Sequence, residues 1–467
     1  MKIILFILAF LIFFISGWAQ PSDSYLMSLL DTNKTPGLSV VIVKDGHWIY
    51  ERNLGLADIP NNKSVTRKTM YGAGAVSCAV VATAVMQLKE RGLLSLDNSI
   101  SHYLPFAFAD PYHPSDSVTM RMLLAESGSI HDNMVPIFTS GDSPVSLDSF
   151  IRNYFIPGGI YYNPTLNFII DLPGTNWEHS EVSYALAAYI VERITGDKFS
   201  RYCDTAIFSK LCMKNTSYLL SEIADTTVIA RPYEWYIGAY TDHGLWGIPD
   251  YPSRQLRTNI SSLARFVTMY SQYGVFEGTR ILDSSSVAEM MHGYFAPTFY
   301  DLGLGFYKRI ASNMDPCWFQ SDYMNGAAGT IYLSYTRKIG IAILGNGFGG
   351  GNKLLDTLYS YALTVTPTAT DVFPDCNDVT IASNMADVDI QYSVFPNPSS
   401  GETTIVTPEA GVAVLNDIEG RQRGTFSLTR GNNVIKIPAG LPAGIYLVAA
   451  HNGEGILLGV RKLLYLP

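Results

Sequence analysis

The sequence predicts an α/β domain followed by a small all-β domain. Strand patterns near the start of the chain and near residue 340 enclose a long region of amphipathic helix patterns. Short strand patterns separated by Gly or Pro turns fill residues 391–467. Together these patterns indicate a first domain whose terminal strands share one sheet, and a β-sandwich after it.

The strands of the first domain are marked by runs of apolar residues. The stretch "GLSVVIVKDGHWIYERNLG" has two strand patterns around Lys44-Asp45-Gly46, and Asp-Gly favours a tight hairpin. The stretch "KIGIAILGNG" near the end of the domain is a continuous apolar run, which is typical of a buried strand. We therefore expect a sheet that includes both ends of the domain.

Two long helices are predicted between these strands. Val80, Ala84 and Leu88 recur every four residues, and Gly92 follows them as a stop signal. A second apolar face spans residues 182–195 and also ends at a glycine. Each helix therefore has one face to bury in the core.

Composition also indicates where the domains end. Pro, Thr and Asp are frequent in "TVTPTATDVFPDCNDVT", which is typical of a linker. The predicted segments are a signal peptide at residues 1–19, the α/β domain at 20–364, a linker at 365–390 and the all-β domain at 391–467.

The first residues are typical of an export signal. One Lys precedes a long apolar run, and the small residues Gly17 and Ala19 suit cleavage after Ala19. The alternative is a retained membrane anchor, but the run is short for a spanning helix, which needs about 20 apolar residues. We therefore expect export.

The cysteine content leaves the disulfide pattern open. An exported chain with an odd number of cysteines keeps at least one thiol unpaired within the chain, so at most two disulfides are expected here. The five are Cys78, Cys203, Cys212, Cys317 and Cys376. Their spacing does not identify the pairs.

Charge excludes one class of partner. The net charge is −9, from 32 basic and 41 acidic residues, and no basic stripe is present in the sequence. Contact with phosphate groups requires such a basic surface, so nucleic acid is not an expected partner.

Several short stretches, taken in order, resemble one enzyme family. They are "PGLSVVIVKDG", "LKERGLLSLDNSISHYLP", "VTMRMLLAESGSI", "PGTNWEHSEVSYALAAYIVERITG", "LGLGFY" and "GIAILGN". Residues 36–364 thereby resemble the serine β-lactamase and penicillin-binding-protein family, in its class C and esterase branch. The resemblance implies an antiparallel sheet flanked by helices, with a helical subdomain. It also implies acyl transfer by a Ser in the first turn of a helix, with a Lys three residues later.

The chain departs from the three catalytic motifs of that family. Counting back from "QLKERGLLSLD" puts Ala75 where the resemblance implies the Ser, and Cys78 where it implies the Lys. The Tyr-x-Asn motif falls on His179-Ser180-Glu181, and the His/Lys-x-Gly strand falls on Met324-Asn325-Gly326. A methyl group cannot attack a carbonyl. We therefore predict a pseudoenzyme that binds a ligand in the former active-site cleft.

Two alternative nucleophiles lie nearby. Ser77 is turned by roughly 100° from the expected position, and Val80 rather than Lys follows it three residues later. Cys78, with His179 as base and Glu181 as orienting acid, would make an esterase-like or peptidase-like hydrolase, because a neighbouring imidazolium lowers a thiol pKa. The same three residues are also candidate metal ligands. The simpler interpretation is a small buried side chain at Cys78 and a polar residue in an old cleft at His179.

The ligand of the predicted cleft stays open. Glu178, His179 and Glu181 make the cleft acidic, so β-lactams and peptides that end in free D-alanine are expected to bind weakly. The remaining ligand classes are a small molecule, a peptide or a glycan, and no cofactor or metal is predicted. A third interpretation is a structural or adhesive surface protein.

The last segment resembles a bacterial sorting domain. "VFPNPSSGETTI", "LNDIEGRQ", "LPAGIYLVAA" and "VRKLLYLP" are similar to the C-terminal sorting domain of the type IX secretion system. The resemblance implies the type IX secretion machinery as a partner. It also implies passage through the periplasm, followed by secretion or display at the outer-membrane surface. The alternative is a small adhesive β-sandwich.

Overall fold

The structure is a computed structural model in which the chain divides into two compact units, residues 1–373 and 374–467. The predicted signal peptide and most of the predicted linker lie outside the described residues. The structure describes residues 20–133, 137–294, 301–311, 315–348, 351–374, 393–395, 399–407, 410–417, 421–453 and 457–466.

An eight-stranded antiparallel sheet forms the centre of the first unit. The described strands of this unit are β1 (Gly37–Lys44), β2 (His47–Asp58), β3 (Lys63–Ser64), β4 (Met70–Gly72), β5 (Thr139–Ser140), β6 (Thr216–Ser217), β7 (Tyr233–Tyr236), β8 (Ala239–Asp242), β9 (Trp246–Gly247), β10 (Arg257–Asn259), β11 (Val275–Phe276), β12 (Thr279–Arg280), β13 (Asp301–Leu302), β14 (Tyr307–Ile310), β15 (Pro316–Met324), β16 (Ala327–Ser334) and β17 (Ile339–Gly345). The central sheet has the order β13-β14-β15-β16-β17-β1-β2-β3. β1 pairs with β17, so both ends of the domain share the sheet, and this prediction is confirmed.

Helices cover both faces of this sheet. The described helices are α1 (Asp23–Asn33), α2 (Val76–Glu90), α3 (Met120–Leu124), α4 (Leu147–Phe155), α5 (Glu181–Thr195), α6 (Phe199–Cys203), α7 (Ile260–Ser271), α8 (Ser284–Met290) and α9 (Gly351–Thr364). The two predicted long helices are α2 and α5, and they pack against each other. None of the described helices is long and apolar enough to cross a membrane.

β1 shows why the apolar runs are continuous. Val40 and Ile42 face α1 and α9, whereas Val41 and Val43 face the larger core that includes α2, α5 and α7. Successive side chains of a strand point to opposite faces, so a strand buried on both faces needs apolar residues at every position. The hairpin after β1 turns at Asp45 and Gly46, both with positive φ, as the Asp-Gly pair predicts.

The first unit extends further than the predicted boundary at residue 364. The Phe373 ring packs edge-on against Trp48 and Phe276, with ring centroids 5.3 and 4.9 Å apart. Lys44 Nζ donates to the carbonyl oxygens of Ala362 and Val365, at 2.9 and 2.7 Å, and so caps the end of α9. Residues 365–373, which form the start of the predicted linker, therefore belong to the first compact unit.

The second unit consists of two antiparallel sheets. Its described strands are β18 (Ser393–Phe395), β19 (Glu402–Thr407), β20 (Gly411–Asp417), β21 (Gln422–Leu428), β22 (Gly431–Lys436), β23 (Gly444–Asn452) and β24 (Leu457–Tyr465). The sheets have the orders β18-β19-β22 and β21-β20-β23-β24. Ile405 and Ile435 of the first sheet share one core with Leu415 and Val448 of the second. Such a shared core is the arrangement expected of a sandwich.

The described cysteines are mostly free thiols. Cys78, Cys203 and Cys317 are free and buried, and Cys212 is disulfide-bonded. Cys376 lies outside the described residues.

Candidate functional site

Ala75, at the position where the family resemblance implies a nucleophile, lies in the turn before α2. Ala75 is the N-cap residue of α2, and its side chain is buried. Gly74 precedes it with a φ of 53°, and a Cβ at Gly74 would lie 3.1 Å from the Cβ of Asp322 on β15. The start of α2 therefore packs closely against β15, and Ala75 at this place carries only a methyl group.

Ser77 does not replace the missing hydroxyl. Its Oγ donates to the Gly74 carbonyl at 2.7 Å and accepts from the Leu256 N–H at 3.1 Å. The side chain is fully buried. Ser77 therefore joins the first turn of α2 to the chain before β10, which is a structural role.

Cys78 lies against a carboxylate and a carbonyl. Its Sγ is 3.2 Å from the Ser253 carbonyl oxygen and 3.7 Å from Glu181 Oε2. Burial raises the pKa of the Cys78 thiol well above its usual value, and the charges of Glu181 and Glu126 raise it further. The low thiol pKa expected for a Cys78–His179 pair is therefore not found, because burial and the two carboxylates outweigh the charge of Arg254.

His179 lies between two carboxylates. Its Nδ1 is 3.3 Å from Glu126 Oε1 and 3.1 Å from the Tyr307 hydroxyl, and its Nε2 is 3.5 Å from Glu181 Oε1. Partial burial favours the neutral ring, but Glu126 and Glu181 outweigh this effect and raise the pKa of His179 to about 11. The imidazole is therefore charged at neutral pH and cannot accept a proton there.

Glu126 joins this group from the chain after α3. Its Oε2 accepts hydrogen bonds from Trp177 Nε1 at 2.8 Å and from the Tyr307 hydroxyl. Its side chain is almost fully buried, so it needs these donors and the charge of His179. Glu126 thereby fixes the ring of His179 and the loop before α5.

Arg254 supplies the second cation of the site. Its Nη2 is 3.4 Å from Asp250 Oδ2 and 3.7 Å from Asp132 Oδ2, and its Nε is 4.0 Å from Glu181 Oε2. Its Nη1 is 3.4 Å from Met324 Sδ. Burial raises the pKa of Glu181, but Arg254 and His179 outweigh burial, so its pKa is lowered overall. Glu181 is therefore a buried carboxylate that two cations keep ionised.

Asp132 fixes the start of α5 within this group. Its Oδ1 accepts from the Ser180 hydroxyl at 3.0 Å and from the Val182 N–H at 3.1 Å, and its Oδ2 accepts from the Glu181 N–H at 2.9 Å. A carboxylate at a helix N-terminus satisfies free N–H groups and interacts favourably with the helix dipole. Asp132 thus holds the backbone of Glu181 while Arg254 neutralises both carboxylates.

Residues 23–365 match the model of the family described as Beta-lactamase. The chain belongs to the β-lactamase family. A curated relative, Protein flp of Staphylococcus aureus strain NCTC 8325, is 21% identical over 343 residues, which cover 70% of this chain and 63% of that protein. The chain therefore spans less than two thirds of the length of this relative.

Solved structures share the fold of this β-lactamase-family chain. A class C β-lactamase is 19% identical with a TM-score of 0.61, covering 74% of this chain and 96% of its own. EstCE1, described as a hydrolase with promiscuous acyltransferase activity, is 16% identical with a TM-score of 0.58, covering 72% and 96%. The predicted β-lactamase-like sheet with flanking helices is confirmed.

The structure brings together several of the predicted site positions and places the third motif at the end of β15. Cys78, His179 and Glu181 meet in one group, as described above. Asn325 and Gly326, with φ of 45° and 77°, form the two-residue turn between β15 and β16, with Met324 paired to Ala327. Of the three positions predicted for the third motif, Met324 is therefore the last residue of β15, and Asn325 and Gly326 belong to the turn that follows it. The part of β15 that approaches the start of α2 is Asp322.

Several residues of the site were not predicted from the sequence. They are Glu126, Asp132, Arg254, Tyr307 and Asp322. Glu126 lies in "LLAESGSI", so a stretch already marked by the family resemblance contained it. Arg254 lies in "YPSRQLRT", where no periodicity or motif indicates a buried guanidinium.

The described residues give no support to a metal site. No group of three or more His, Cys, Asp or Glu side chains among them is arranged to hold a metal ion. Cys78, His179 and Glu181 instead belong to the hydrogen-bonded group around Arg254 and Glu126.

Proposed function

We propose that this chain is a β-lactamase-family pseudoenzyme that binds a ligand in the former active-site cleft and forms no acyl adduct. The observation that carries the proposal is Ala75 at the start of α2, where its methyl group offers no attacking atom. Family hydrolases such as EstCE1 share the fold, but a fold does not confer activity without the site.

The groups around Ala75 support the same conclusion. An attacking hydroxyl needs a neighbour that accepts its proton. The Cys78 thiol is protonated at neutral pH because its pKa is raised, and His179 is charged because its pKa is about 11. Neither side chain is in the state that a general base requires.

Incubation with a fluorescent penicillin and with p-nitrophenyl acetate tests the proposal. We expect the intact mass of the protein to stay unchanged and the ester to be hydrolysed no faster than in buffer. Ala75→Ser is expected to remain inactive as well, because neither Cys78 nor His179 is in a state to accept the proton of the restored hydroxyl.

A penicillin-binding protein treated in parallel is the positive control for adduct formation. An acyl adduct on any residue of the first turn of α2 in the wild-type chain contradicts the proposal. Turnover of the ester that is abolished by Cys78→Ala contradicts it as well, in favour of the hydrolase alternative.

We propose further that residues 391–467 are a type IX secretion sorting domain. The sequence resemblance supports this role, and so does the formation of a compact unit separate from the first. Deletion of residues 391–467, followed by cell fractionation in a host with this secretion system, tests the proposal. Retention in the periplasm is expected. Unchanged export of the truncated chain contradicts the proposal. Tryptophan fluorescence of the truncated chain is the control that its first unit still folds.

A further inference from the structure

Carboxylates outnumber cations around the former active site. Among the described residues of this group the cations are Arg254 and His179, and the acidic side chains are Glu126, Asp132, Glu181, Asp250 and Asp322. Two positive and five negative charges give a net charge of −3 when all are ionised. Burial raises the pKa values of Asp132, Asp250 and Asp322, which is the direction expected of carboxylates with too few neighbouring cations. A bound cation would stabilise this group.

One exposed apolar surface lies on the chain that leads into this group. The segment 153–192 contains no Lys or Arg. It runs beside residues 126–131, since the Ile169 N–H donates to the Ser129 carbonyl at 3.0 Å and the Glu178 N–H donates to the Glu126 carbonyl at 2.9 Å. Four of its apolar side chains are exposed, and we call them the first rim: Ile160, Leu166, Ile170 and Leu172.

A second exposed apolar surface lies on the β7–β8 hairpin. We call its exposed side chains the second rim: Trp235, Tyr236 and Ile237. Ile237 is 83% exposed and has a φ of 46°, a conformation that is strained for a β-branched residue. The hairpin touches the end of β15, because a Cβ at Gly326 would lie 2.2 Å from the Tyr233 nitrogen. The second rim therefore adjoins the strand that carries Asp322.

We propose that the cleft and its two rims bind a basic, apolar peptide segment. This inference rests on the proposed function, because it assumes that the cleft is used for binding. Lys or Arg side chains would face Asp132 and Asp322, the acidic side chains of this group that are only partly buried, and apolar side chains would cover the rims. Charge complementarity and exposed Trp and Tyr side chains are features of peptide-binding surfaces.

Other ligand classes fit the two rims less well. An acidic lipid surface or a nucleic acid would be repelled by a net negative cleft. A small amine would neutralise the cleft but leave both rims exposed, and exposed apolar surface of this kind marks interaction sites. A peptide covers both surfaces with one chain.

Fluorescence anisotropy with labelled ten-residue peptides tests the inference on the full chain. We expect a peptide of alternating Leu and Lys to bind, one of Leu and Glu not to bind, and one of Ser and Lys to bind at least about tenfold more weakly. Asp322→Asn, Ile170→Ser and Trp235→Ala are each expected to weaken Leu-Lys binding about tenfold or more. Val372→Ser is the matched control, because Val372 is 66% exposed but lies beside the start of β2, away from both rims. The Val372→Ser variant should bind the Leu-Lys peptide as tightly as the wild type does.

Two outcomes overturn the inference. One is Leu-Lys binding that is absent or equally strong in the wild type and the three site variants. The other is binding of a chito-oligosaccharide probe without binding of the peptide, which would favour a glycan. The penicillin experiment tests the proposed function independently of peptide binding. An acyl adduct contradicts the pseudoenzyme whether or not the peptide binds. A missing peptide signal without an adduct overturns only the peptide inference.

Discussion

Replacing Arg254 with Met is expected to lower the free energy of unfolding of the first unit by about 3–5 kcal/mol. The guanidinium is only 13% exposed and lies among Glu181, Asp132 and Asp250. Removing one partner of a buried ion group leaves an uncompensated charge in the protein interior. The resulting loss in the free energy of unfolding exceeds the loss from breaking a surface ion pair. Met fills a similar volume, so the change in charge dominates.

Urea titration followed by tryptophan fluorescence measures this effect. All the tryptophans precede residue 374, so the signal reports on the first unit alone. Arg201→Met is the matched control, because Arg201 pairs with Asp197 at 3.7 Å and is 73% exposed, and its loss should stay below about 1 kcal/mol. Adding Glu181→Gln to Arg254→Met should recover part of the stability. A loss below about 1 kcal/mol for Arg254→Met would show that the group is not a buried ion cluster.

Local signals in the sequence predicted much of the fold. The four-residue spacing of Val80, Ala84 and Leu88 predicted α2, and Asp45-Gly46 predicted the first hairpin. Both depend on neighbours a few residues apart, so the chain itself carries the information. The same kind of signal accounts for the turn after β15, because Asn325-Gly326 is a strong two-residue turn signal.

The site was harder to predict because its contacts join distant segments. The alignment of motifs placed Cys78, His179 and Glu181 together, and they do meet. It did not predict Arg254, whose partners come from three other segments of the chain. The sequence also predicted a lowered pKa for Cys78, whereas its pKa is raised. The sequence suggested an imidazolium next to the thiol, whereas burial and two carboxylates control its protonation.

Replacing His179 with Gln is expected to lower the free energy of unfolding by about 2 kcal/mol near pH 6. Hydrogen bonds to charged groups contribute about 1.5–3 kcal/mol, and the ring is 53% exposed, so water screens part of the interaction. Glu126 and Glu181 are both nearly fully buried and would lose a cation. His243→Gln, which removes a partly exposed contact with Glu234, is the control and should change stability by less than about 1 kcal/mol.

The pH dependence of this difference is the sharper test. The pKa of His179 is about 11 in the folded chain and 6.5 in the unfolded chain. His179 therefore stabilises the fold fully below about pH 6.5, and this stabilisation is lost as the pH rises towards 11. The lowered pKa of Glu181 has the opposite sign, so its contribution is present above about pH 4.5 and is lost in acid. The difference between wild type and His179→Gln should therefore be largest between about pH 5 and 6.5 and decline steadily above it. A difference that stays flat from pH 6.5 to 10 would mean a neutral imidazole, which is the state a general base needs, and would remove one support of the proposed function.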